Sequence, residues 1–220
     1  IDIDSLQNIK INQNNLDRLE IYKKEFKNKN FCFIEDLIDN EGFDLIKNNF
    51  PEKKYFYAPS DPFKNYNFGF RNYKMLNPNH FQMKNSNYIE KFPVHKKLYN
   101  FIQSFEFKNF LNSILSKQNY SNSFIISSYA SSNSFLIPHI DSVYDDENKK
   151  NIINTIYFID GLDDAINSGG TGIYKDNEFN EPIFEPKKIR NSMLIYNSKS
   201  SFWHGFKIMK KNSFRFAIAA

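Results

Sequence analysis

Four residues toward the C-terminal end of the chain have types and spacing that could do chemistry. His139 and Asp141 are separated by one residue, His204 lies 63 residues after the aspartate, and Arg215 follows after eleven more. Two imidazoles and one carboxylate can hold one face of a ferrous ion and leave three positions open for a cosubstrate and dioxygen. A guanidinium presents a rigid fork of N–H donors that matches a carboxylate, so Arg215 could hold the far end of such a cosubstrate. An H-x-D triplet by itself occurs by chance. A lone histidine such as His204 is more often a core residue satisfied by a backbone carbonyl, and His80 and His95 are expected to be structural or surface residues of that kind. The conjunction carries the reading: H-x-D at a strand end, a distal histidine, an arginine on the next strand, and Gly169-Gly170 between them.

The elements that must position these residues follow from periodicity. Residues two apart on a strand share a face, so His139 and Asp141 point one way and Ile140 the other. In the last strand Phe214, Phe216 and Ile218 share one face, which suits packing against helices. Ser213, Arg215, Ala217 and Ala219 share the other, where one cation among small neighbours suits a cavity for an anion. Trp203 alternates away from His204 and is expected to pack. Strands are expected over 123–130, 135–141, 152–159, 171–175, 191–196, 201–207 and 213–220, separated by turn signals such as Asp160-Gly161 and Ser168-Gly169-Gly170. Upstream of about residue 120 the pattern is mainly helical. Leu16, Leu19, Tyr22 and Phe26 recur at helical spacing. Phe31–Ile34 reads as a short strand, and Asp39 can cap a helix over Glu41–Asn49 that Pro51 ends. Helical periodicity returns over 94–117, while 55–80 read as irregular strands and loops. Many short strands behind a helical layer favour a closed or double-sheet β-core with helices on one side.

Length and composition are consistent with this. The chain of 220 residues fits one domain, 1–220, with about 1–120 as helical and strand support and about 121–220 as the core. The net charge of +4 comes from scattered lysines mixed with acidic residues, which favours a solvated surface over a nucleic-acid footprint. Cys32 is the single cysteine and reads as a buried strand residue. No apolar run reaches the roughly 18 residues of a membrane helix, and no signal-peptide pattern is present, so the cytoplasm is the expected location. The chain does not begin with Met, and its true start is expected upstream. Oligomeric state is not readable.

The quoted segments resemble the 2-oxoglutarate and Fe(II)-dependent oxygenases, specifically the prolyl-4-hydroxylase-like branch. The stretch from Tyr129 to Asp141 is similar to that branch's first metal-binding strand with its preceding tyrosine. Asn154–Asp160 resembles the following core strand, and Ser168–Tyr174 the double-glycine turn and strand. Glu185–Tyr196, Trp203-His204-Gly205 and Arg215–Ile218 complete the pattern. The likeness covers residues 121–220 well and 30–120 in outline.

The resemblance implies a mainly β fold with helical support: a double-stranded β-helix (jelly-roll, cupin-like) core with N-terminal helices packed on one sheet. It implies Fe(II) held by His139, Asp141 and His204, with 2-oxoglutarate and dioxygen as cosubstrates and ascorbate as a further candidate cofactor. Arg215 would pair with the distal carboxylate of 2-oxoglutarate, and Tyr129 matches a tyrosine that helps bind it; a plain core aromatic is the alternative for Tyr129. The implied reaction is hydroxylation of an unactivated C–H with oxidative decarboxylation of 2-oxoglutarate to succinate and carbon dioxide. The substrate would be a prolyl or other residue in a peptide, or a free amino acid. Phe158 stands where some relatives carry a second tyrosine and cannot hydrogen-bond; Thr155, Tyr157 or a water could substitute. Asp141 argues against halogenation, since relatives that halogenate carry a small residue there. Two loops, Tyr55–Tyr73 with Arg71 and Tyr144–Lys150, are candidates for substrate contact and for a lid, each with ordinary packing or solvation as the plainer alternative. A cupin-like metal or ligand-binding module without turnover, and a metal enzyme that does not use 2-oxoglutarate, remain as other readings.

Overall fold

A computed structural model of the chain describes residues 9–56, 74–76, 92–116, 125–140, 153–161, 169–197 and 203–220. The N-terminal part opens with α1 (Gln13–Asp17), α2 (Leu19–Lys29) and β1 (Phe31–Ile34). The expected single early helix is broken at Arg18, and α2 ends at Asn30, which takes a left-handed conformation (φ 58°). Then comes α3 (Asn40–Asn49), whose first turn is closed by the Asp39 carboxylate accepting from Gly42 N–H at 2.8 Å, as its position before the helix implied. The periodic stretch after residue 93 forms two helices, α4 (Pro93–Ile102) and α5 (Phe105–Leu115). Ser104 separates them because its hydroxyl accepts from Phe107 N–H at 3.2 Å and starts a new helix.

Among the described residues there are ten strands, eight of them at expected positions. Besides β1 they are β2 (Lys74–Leu76), β3 (Ile126–Ser131), β4 (Leu136–His139), β5 (Ile153–Gly161), β6 (Gly172–Tyr174), β7 (Pro182–Phe184), β8 (Ser192–Asn197), β9 (Trp203–Phe206) and β10 (Phe214–Ala219). They form two antiparallel sheets, a large one in the order β1-β8-β5-β10-β3-β2 and a small one in the order β4-β9-β6-β7. From β3 onward the chain passes back and forth between them, with β6 and β7 the only consecutive pair in one sheet among these strands.

The period-2 alternation of the large sheet divides its residues between two cores. On the outer face Tyr157, Ile159, Met193, Ile195 and Ile218 pack under the apolar sides of α2 to α5. On the inner face Phe158, Leu194, Tyr196, Ala217 and Phe31 meet Ile173 of the small sheet, with Phe184 alongside. Full burial of each isoleucine, leucine, methionine or phenylalanine among them contributes roughly 1.5–3 kcal/mol. Asn191 fastens the N-terminal segment to this frame. Its side-chain oxygen accepts from Ile38 N–H (3.1 Å) and the Tyr157 hydroxyl (2.9 Å), and its amide donates to Ile38 C=O (2.8 Å). No helix among the described residues is long and apolar enough to cross a membrane.

Candidate active site

β4 and β9 are neighbours in the small sheet, and their register places His139 directly opposite His204. The two imidazole centroids are 4.3 Å apart. The strands can approach this closely because residue 205 is glycine: a Cβ there would run into the carbonyl of Leu136 and the backbone of Pro138. His139 Nδ1 lies 3.0 Å from its own strand's Ile137 carbonyl. A proton on Nδ1 donated to that oxygen fixes the tautomer in which Nε2 carries the lone pair, the form that ligates a metal. His204 is 5% exposed and its ring packs 4.7 Å from that of Tyr196. The donor set therefore suits a divalent transition metal. Asp141 lies outside the described residues, and among those residues no group of three metal-binding side chains assembles.

Arg215 is placed by β10. It pairs with Ala130 of β3 and Gly161 of β5, and its side chain enters the interior between the sheets, where it is 4% exposed. The guanidinium carbon sits 4.3 Å over the Phe206 ring and 5.6 Å from the Phe158 ring. Nη1 donates to the Gly169 carbonyl and, at 3.3 Å, to the Thr171 hydroxyl. Gly169 has φ of 82°, and a Cβ there would press on Met209 Sδ at 3.0 Å and Arg215 Cδ at 3.2 Å. The double-glycine turn thus turns a carbonyl onto the arginine while leaving room for its stem.

Strand parity and hydrogen bonding place three further candidates, Tyr129, Thr155 and Tyr157. Tyr129 pairs with Phe216, not Arg215, and so lies on the opposite face of the sheet. Its ring packs among Phe56, Phe214 and Phe216, beneath the Lys53 ammonium at 5.2 Å, so it is placed as a core aromatic and not beside Arg215. Thr155 and Tyr157 are not available to replace the hydroxyl missing at Phe158. The Thr155 hydroxyl donates to Ala220 C=O at 3.2 Å and that of Tyr157 to Asn191. Phe158 itself does lie beside the guanidinium, as its alignment implied. The sequence reading passed over Phe206 and Thr171. Phe206 was accessible as the residue two after His204, hence on the same face; Thr171 had only its position after the glycines.

The remaining sequence candidates separate cleanly. His95 is 2% exposed in α4, with Nε2 2.8 Å from the Ser127 hydroxyl, and burial lowers its pKa to about 3. It is structural, as expected. Cys32 is buried in β1, and desolvation pushes its thiol far above the ordinary range, so it is no nucleophile. Trp203 is half-buried on the side away from His204. His80, the Tyr144–Lys150 loop, and Arg71 with most of the Tyr55–Tyr73 segment lie outside the described residues.

No family model matches the sequence, and no curated protein is similar to it at a significant level. Solved structures do match. A prolyl hydroxylase from Trichoplax adhaerens, in complex with a peptide fragment of the hypoxia inducible factor oxygen degradation domain, aligns with a TM-score of 0.66 at 13% identity, over 94% of this chain and 89% of that one. A 2OG-Fe(II) oxygenase family oxidoreductase from Burkholderia pseudomallei gives 0.59 at 11% identity, over 91% and 87%. HygX from Streptomyces hygroscopicus, with nickel, 2-oxoglutarate and hygromycin B bound, gives 0.57 at 12% identity, over 92% and 84%. With its facing histidines and interior arginine, this chain has the fold of the prolyl hydroxylases and 2OG-Fe(II) oxygenases.

Proposed function

We propose that the chain is an Fe(II)- and 2-oxoglutarate-dependent dioxygenase, a single domain in which β3–β10 form a double-stranded β-helix. The observation that carries the reading is the direct pairing of His139 with His204 inside this fold, with the buried Arg215 cation opening onto the same interior. His139 and His204, with Asp141, would hold the metal, and Arg215 would hold the distal carboxylate of 2-oxoglutarate. Iron bound there, with 2-oxoglutarate and dioxygen, supplies hydroxylation of an unactivated C–H bond coupled to release of succinate and carbon dioxide. The protein's own part is placement. The Ile137 carbonyl orients the His139 ring, and Gly205 sets the approach of the two strands. The Phe158 and Phe206 rings exclude water around the guanidinium, and low local dielectric strengthens its pairing with an anion.

The substrate is proposed as a prolyl or other residue within a peptide, or a free amino acid, supported by the peptide held in the Trichoplax adhaerens structure. The cytoplasm is the proposed compartment, in keeping with a chain whose one cysteine is a buried thiol.

The test is metal analysis combined with succinate release. The expected result is one Fe(II) per chain and oxygen-dependent succinate formation that rises with proline-containing peptides or amino acids. Binding of metal and 2-oxoglutarate with no succinate under air would make the chain a binding module.

A further inference from the structure

We propose that Thr171, in the turn that leads into β6, is a second donor to the carboxylate held by Arg215. The inference rests on reading Arg215 as the carboxylate-holding residue. On the face of Arg215, Ala130, Gly161 and Ala217 carry no side-chain donor, the Ser128 and Ser213 hydroxyls are spent on the Ala217 and Lys210 carbonyls, and the rings against the guanidinium are Phe158 and Phe206. Thr171 is the exception. It is 1% exposed, and its hydroxyl oxygen accepts from Arg215 Nη1 at 3.3 Å. A hydroxyl that accepts from a cation still has one proton to donate, and among the described residues no acceptor takes it. A buried donor left without a partner is costly. A carboxylate oxygen lying against the guanidinium would supply the missing acceptor and receive two converging donors, one charged and one neutral. The hydroxyl absent at position 158 is thereby replaced from the turn that leads into β6.

The test uses isothermal calorimetry on the full chain loaded with Mn(II) under anaerobic conditions, with two ligands. One is 2-oxoglutarate; the other is 2-oxobutanoate, which has the same keto acid end and no distal carboxylate. Thr171→Val is expected to weaken 2-oxoglutarate binding about tenfold and to leave 2-oxobutanoate unchanged, while Thr171→Ser restores the wild-type value. Should Thr171→Val fail to fold, by its thermal melt, Thr171→Ala against Thr171→Ser makes the same comparison. Wild-type affinity in the hydroxyl-free variant, equal losses for both ligands, or failure of serine to restore binding would each overturn the proposal. Absence of saturable 2-oxoglutarate binding to the wild-type chain would overturn the dioxygenase reading along with it. Binding that depends on Thr171 but yields no succinate under air would sink only the dioxygenase reading.

Discussion

The two faces of the large sheet bury the same kinds of side chain to opposite ends. On the helix-facing side His95 meets Ser127, whose hydroxyl also lies 3.0 Å from that of Tyr99, and the ring packs edge-on to Phe50 and Tyr99. On the inward side His204 meets another histidine, and a buried arginine stands nearby over phenylalanine rings. Burial alone therefore separates nothing. A histidine given a neutral hydroxyl and an apolar cage is kept neutral as packing material. A histidine given a second imidazole across a strand pair is arranged for something that needs both. The partners, not the depth, distinguish frame from site.

That contrast can be broken most directly by exchanging which histidine is lost. His204→Ala is expected to lower Fe(II) affinity and succinate release by more than about a hundredfold, since even residues that only support metal ligands cost that much. His95→Phe should leave metal content unchanged. Equal metal loss in both, measured by elemental analysis, would erase the distinction. Asn191→Ala sharpens the comparison from the frame side. It strips partners from the Ile38 backbone and the Tyr157 hydroxyl and should lower unfolding free energy by about 3–4 kcal/mol, with metal affinity retained.

Acid should next reveal the packed histidine. Burial holds the folded pKa of His95 at about 3, below the ordinary imidazole value of 6.5. Between these values the unfolded chain binds the extra proton, so His95 costs no stability above pH 6.5 and destabilises the fold progressively as pH falls toward 3. At pH 4 the loss relative to pH 7 should be about 3 kcal/mol, seen in denaturant titrations and absent from His95→Phe. On the inward face Arg215→Ala should raise the 2-oxoglutarate requirement about a hundredfold, as loss of a charge-assisted pair predicts, with little change in metal binding. An unchanged KM for 2-oxoglutarate would mean that the inward cation serves the frame as well.

Much of this was legible in the chain because strand alternation and turn residues are local signals. β1 and the seven expected core strands lie where apolar alternation and glycine turns put them, and Arg215 faces inward because its small neighbours alternate with Phe214, Phe216 and Ile218. What escaped depends on pairing at a distance. Tyr129 is ten residues from His139, but the turn between β3 and β4 does not transmit parity, and only the pairing with Phe216 decides its face. Thr171 reaches Arg215 from the turn before β6, across 44 residues. β7 is three residues long and begins with Pro182, too short to show alternation. The break at Ser104 was hidden because apolar spacing continues across both helices, and only the hydroxyl cap interrupts it.

β1 has a consequence for how the molecule is made. Its four residues Phe31–Ile34 hydrogen-bond to Met193–Tyr196, near the other end of the chain. At translation rates of about 5–20 residues per second, the nascent segment waits on the order of ten seconds or longer for its mate to leave the ribosome. Through that interval Phe-Cys-Phe-Ile is an uncharged, proline-free apolar run whose strand partner has not yet been made. Lys27 and Lys29 before it and Glu35 and Asp36 after it bracket it with charge, the kind of flank that opposes association of an exposed apolar strand.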